Sequence, residues 1–156
     1  MPKWIKPKRI PIGEIDRRLR FALEQAGAIV RADYQLFTAT WEHDSLPEWH
    51  AKAPRKVGRD LIWDYWTDST PFIYVELGTE PHTIRARFAP MLKFQTGFIA
   101  KTKPRQLMSG PGARFGDWAS KLEVQHPGNE PRNVSIEIAK RVQPYLVRYI
   151  AQAIRW

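Results

Sequence analysis

Glu76 and His82 stand six residues apart in the stretch FIYVELGTEPHTIRARF, Phe72 to Phe88, in a mostly apolar setting. A carboxylate and an imidazole brought within hydrogen-bond reach are the least that general acid/base chemistry requires. Catalysis would also need a nucleophile or a group that stabilises developing charge, and nothing nearby completes that set. The other reading is architectural. Gly78 suits a backbone conformation that a β-carbon disfavours, and Pro81 stiffens the following turn while pushing Glu80 towards extended geometry. Glu76 and His82 then stand near that turn, where hydrogen bonds to backbone N–H groups or to Thr79 would lock it. His126, Pro127 and Gly128 end a later strand in the same manner and redirect the chain. Turn architecture is the favoured reading, because function must be argued from a complete site.

The remaining chemistry-bearing residues form no site either. Histidines occur at 43, 50, 82 and 126, a spacing that matches neither HExxH nor a facial triad, so the sequence implies no metal. Glu42, Asp44 and Glu48 are the one local carboxylate cluster, the feature that a metal-dependent nuclease would need, but they flank an expected turn where solvated acids are ordinary. GPGARFG lacks the Lys-Ser/Thr of a phosphate-binding loop and does not open a helix after a strand. No cofactor is implied. The chain has no cysteine, which removes disulfides and thiolate metal sites. Arg141, Arg148 and Arg155 are spaced by seven residues, nearly two helical turns, and form a basic stripe suited to non-specific phosphate contacts or to a solvated helix face.

The elements that must carry these residues read as α+β. Met1 to Gly13 is expected to be an extended basic arm, since Pro2, Pro7 and Pro11 oppose helix. Ile15, Leu19, Leu23, Ala26 and Val30 recur at helical steps and predict an amphipathic helix from Glu14 to about Tyr34. LFTATWEH and EWHAKA, flanking DSLP, read as a hairpin; PRKVGRD reads as a turn, and LIWDYWTD as a strand. TIRARF and MLKFQTGF, separated by Ala-Pro, read as a second strand pair. Residues 97–118 contain four glycines and two prolines without a sustained period, which predicts a long mobile loop. SKLEVQH reads as a strand, and Val134 to Trp156 as a closing helix that Asn133, or Asn129 with Pro131, would cap and that Pro144 would kink near Lys140. The whole is one domain, residues 1–156, with a long N-terminal helix and a C-terminal helix packed on a small antiparallel sheet that carries a long basic hairpin loop.

A formal charge of +9 points to acidic partners, and the charge is segregated. Residues 37–80 hold eight acidic and four basic side chains, whereas residues 81–116 hold seven basic and no acidic ones. Such polarity suits head-to-tail contact between copies. No apolar run has the length of a signal peptide or a membrane span, so a soluble, unsecreted protein without membrane contact is expected.

Three ordered blocks carry a resemblance: Tyr74-Val75-Glu76-Leu77-Gly78-Thr79 with Pro81-His82, then Leu92-Lys93-Phe94, then His126-Pro127-Gly128 before the last helix. In these the sequence resembles the small neck and tail-completion proteins of long-tailed bacteriophages, a family named after a minor tail component of a lambdoid phage. The resemblance spans about three quarters of the chain. It implies a structural, non-enzymatic virion protein, assembled in the host cytoplasm and placed at the neck as a head–tail connector or tail-completion protein. It implies a ring of copies around the DNA channel, stacked on portal-side neighbours and on tail-tube or tail-terminator proteins. The sequence departs from the family where NEPRNVSIE follows His126-Pro127-Gly128, and in the length of segment 97–118. On this reading the surfaces for subunit contact or for the DNA channel are Lys101, Lys103, Arg105, Arg114, Arg141, Arg148 and Arg155, with Trp4 and Trp156 as interface anchors. The rival is a basic protein that binds DNA non-specifically and acts free in the cell.

Overall fold

The computed structural model describes residues 11–41, 46–108, 110 and 112–155. Most of the N-terminal arm and all of Trp4, Glu42, Asp44 and Trp156 lie outside the described residues. Among these residues three helices and eight strands follow in the order α1 (Ile12–Thr38), β1 (His50–Ala51), β2 (Arg55–Val57), β3 (Asp60–Ile62), β4 (Tyr65–Trp66), α2 (Thr70–Leu77), β5 (His82–Arg85), β6 (Leu92–Ile99), β7 (Ala113–Lys121), β8 (Glu123–His126) and α3 (Val134–Ile154). The α+β class and the long flanking helices are as the sequence implies. Among the described residues no helix is long and apolar enough to cross a membrane.

The principal packing is helix on helix, α1 against α3. Phe37, Val134 and Ile138 are fully buried, and Ala26, Tyr34, Phe72 and Val142 join them in one cluster. Each of the buried Val, Ile and Phe side chains contributes on the order of 1.5–3 kcal/mol by leaving water. An aromatic column closes the cluster. Tyr65 stacks between Trp49 and Trp63 at centroid distances of 5.2 and 5.3 Å, and Trp49 meets Phe72 edge-on at 4.9 Å. Gly27 permits this approach, since a β-carbon there would lie 2.9 Å from the Trp63 ring.

Several expected elements are rearranged. Among the described residues the first arm of the hairpin expected around DSLP is helical: Leu36 to Thr38 are the last turn of α1, because Tyr34 and Phe37 continue the helical apolar stripe. His50 and Ala51 pair instead with Trp66 and Tyr65. The expected turn PRKVGRD is itself a hairpin, β2–β3, turning at Gly58 with φ +61°. LIWDYWTD is therefore two strands with different partners, β3 and β4.

TIRARF and MLKFQTGF do not pair with each other. β5 pairs with β8, from His82↔His126 to Arg85↔Glu123, and β6 pairs with β7, from Leu92↔Lys121 to Ile99↔Ala113. The registers nest, so residues 79–129 form one antiparallel excursion interrupted around residues 86–91. A strand that runs out and returns pairs with its own return, which Ala-Pro punctuation alone does not reveal. Residues 97–118 are accordingly no continuous loop: 97–99 and 113–118 belong to β6 and β7. Among the described residues the strands form four separate two-stranded sheets in place of the single sheet expected beneath the helices.

Candidate assembly surface and its base

Segment Ser69 to Leu77 folds as a helix because its ends are well specified. The Ser69 hydroxyl accepts from the Phe72 N–H at 3.4 Å, and Pro71 sits in the first turn, where its missing donor costs nothing. Helix α2 stops at Gly78, whose φ of +75° and ψ of −179° lie in a region open essentially to glycine. A β-carbon at Gly78 would meet the Asn129 carbonyl oxygen at 2.5 Å. Gly128, φ +83°, faces the Thr79 carbonyl as closely from the other side. Thr79 and Asn129 exchange both backbone hydrogen bonds at 3.0 Å, which closes the base of the 79–129 excursion.

Glu76 fastens this base to α3. Its carboxylate accepts from the backbone N–H of Val134 at 2.7 Å and of Ser135 at 3.1 Å, two of the donors that the first turn of any helix leaves without a partner. Asn133, expected to cap α3, occupies the right position but is left-handed with φ +53° and makes no side-chain cap bond; Glu76, distant in sequence, does that work. Backbone bonds from Arg132 N–H to Val75 O and from Asn133 N–H to Glu76 O complete the junction. Tyr34 reaches the same helix end through a 2.7 Å bond to Ser135 Oγ, and burial pushes its phenol above the ordinary value despite that bond.

His82 and His126 face each other across β5–β8 with ring centroids 5.0 Å apart. His82 Nδ1 lies 2.8 Å from the Glu80 carbonyl oxygen and donates to it, whereas His126 Nδ1 accepts from the Gly128 N–H at 3.1 Å. Both rings are thereby held in the turns, as Pro81 and Pro127 are. Glu76 bonds to α3 and His82 to the Glu80 carbonyl, so each is engaged in a separate backbone contact. Among the described residues no group of three or more His, Asp or Glu side chains is placed to hold a metal ion.

Above this base the β6–β7 hairpin carries a bulge in which Gly116 and Asp117 oppose Thr96, with Gly116 at φ +86°. Gly97 has no side chain beneath Phe115, where a β-carbon would collide with the ring. Cross-strand register puts Ile99, Phe115 and Trp118 on one face of the hairpin, and all three are exposed, Trp118 to 73%. The far end of the hairpin returns to the body: Lys101 Nζ donates to Thr40 O at 3.2 Å, Arg105 N–H donates to Arg132 O at 3.3 Å, and Leu107 packs against the core. Between hairpin and α2 lies a groove of about 500 Å³ floored by Trp41, Val75, Phe98 and Ile99 and edged by Arg114 and Arg132.

The basic residues divide into two sets. Lys103, Arg105, Arg114, Arg148 and Arg155 are exposed. Arg141, although half exposed, is committed to an ion pair with Asp33 at 3.2 Å, whose side chain is buried and whose second oxygen has no partner among the described residues, so it ties α3 to α1. That pair was not evident from a stripe of arginines on one helix, because Asp33 lies 108 positions away in α1.

No family model matches this sequence, and comparison with curated proteins and with solved structures returns no match.

Proposed function

We propose that this chain is a structural subunit of a tailed-bacteriophage virion, assembling as a ring in the neck that joins the capsid and portal side to the tail around the DNA channel. The observation that carries this reading is the balance of apolar surface. Among the described residues eight apolar side chains are buried, whereas 22 large apolar side chains are exposed, with Phe98, Leu77 and Leu122 at about 70%. Single exposed apolar residues are ordinary, but exposure on this scale belongs to a protein that buries the surface against partners. The resemblance at Tyr74–Thr79, Leu92–Phe94 and His126–Gly128 supplies the neck location, and the exposed cations supply contact with the genome passing through.

Sedimentation of the purified full chain, with and without duplex DNA over a range of salt, tests the reading. A connector sediments as a closed oligomer whose formation needs no DNA, and the isolated subunit binds DNA weakly. A monomer that binds DNA tightly, with affinity falling steeply as salt rises, would overturn it in favour of a free DNA-binding protein.

A further inference from the structure

The β6–β7 hairpin is a two-stranded sheet with strands of eight and nine residues and with both outer edges unpaired among the described residues. Neither strand packs broadly against a helix. A sheet of two strands is marginal in water unless a third strand or a helix covers it. Unpaired edges present a row of N–H and C=O groups ready to accept another strand. Neither strand contains a proline, the residue that most directly blocks such pairing.

Resting on the ring reading above, we infer that this hairpin is the subunit contact, and that β6 of one copy pairs antiparallel with β7 of the next. The occupant follows from the geometry of the two edges. A foreign strand would cover one edge and leave the other bare, whereas copies of the hairpin itself cover both. Within a hairpin β6 and β7 run in opposite directions. Copies related by rotation about a common axis therefore set β7 of one beside β6 of its neighbour in antiparallel sense, the favourable ladder for strands of nearly equal length. The contact is head-to-tail, with two different surfaces meeting at each junction, and such contacts close into a ring when the rotation between copies divides a full turn. The face that carries Ile99, Phe115 and Trp118 becomes continuous from copy to copy, so each aromatic gains a neighbour across the new ladder. The bulge at Gly116–Asp117 divides the β7 edge, leaving Trp118 to Lys121 as its longer regular stretch.

Hydrogen exchange of the full chain, followed residue by residue in the assembled and the diluted states, tests this pairing. In the dissociated chain only alternate amides of residues 92–95 and 118–121 are protected, those bonded within the hairpin. In the assembly the intervening amides become protected as well. The Trp118→Lys variant changes an exposed side chain, so its circular dichroism matches the parent, while the concentration at which the oligomer dissociates rises by about tenfold or more. An oligomer in which the outward amides exchange as fast as in the dissociated chain would overturn edge pairing and leave the ring reading in place. A chain that stays monomeric at every concentration would overturn the ring reading and the pairing with it.

Discussion

Glu76 holds two backbone donors of α3 from a helix 58 positions earlier, so its removal acts on the junction between the two halves of the chain. Glu76→Ala is expected to lower the stability to urea by about 1–3 kcal/mol, the cost of a lost cap and of backbone N–H groups left unpaired. Unchanged stability would show that water satisfies those donors equally well. Tyr65 sets a different limit. Burial pushes its phenol from the ordinary 10.0 up to about 12, Arg31 opposing and Tyr34 assisting. The folded state thus holds the neutral phenol more firmly than the unfolded chain does. The stability tied to Tyr65 is fully present below pH about 10 and is lost as pH rises towards about 12. Tyrosinate absorbance followed through an alkaline titration should show a late fraction that appears together with unfolding. Ionisation of all five tyrosines near pH 10 without unfolding would contradict this burial.

Helices α1 and α3 are joined by apolar packing and by the Asp33–Arg141 pair, and the pair makes a test at the level of elements. Arg141→Ala leaves a buried carboxylate unpaired and should cost roughly 1–3 kcal/mol, less than a wholly buried pair because Arg141 is half exposed. Arg148→Ala, on the open side of the same helix, should stay within about 0.5 kcal/mol. Equal effects would place both arginines in the same solvated stripe. The two long helices were legible because their apolar residues keep a 3.6-residue period over several turns, and Gly78, Pro81, Pro127 and Gly128 were legible as turns because few residues suit those backbones. Helix α2 was missed although Ser69, Pro71 and Gly78 mark its ends, since its apolar run FIYVEL has no helical periodicity to set it apart from a strand. Strand partners were misassigned for a different reason. Period two marks a strand but carries no information on which distant strand it meets, and the bases that pair residue 79 with residue 129 and Glu76 with α3 are long-range contacts. The capping role of Glu76 was foreshadowed only as a bond to backbone N–H groups.

For the whole molecule the central fact is that the fold closes a small aromatic core around α1, α2 and α3 and leaves the 79–129 excursion largely uncovered. The residues that first suggested chemistry form the base of that excursion, and what they fix is the direction in which the hairpin leaves the body. On this account the exposed aromatics and the exposed cations, Arg148 and Arg155 among them, have one explanation: the former meet neighbouring copies and the latter meet the genome. The most direct measurement is electron microscopy of lysates from a phage deleted for this gene, paired with mass spectrometry of wild-type particles. A neck subunit is expected to be present in wild-type virions, and its deletion to yield filled heads and finished tails that fail to join. Intact, infectious particles assembled without the protein would contradict it.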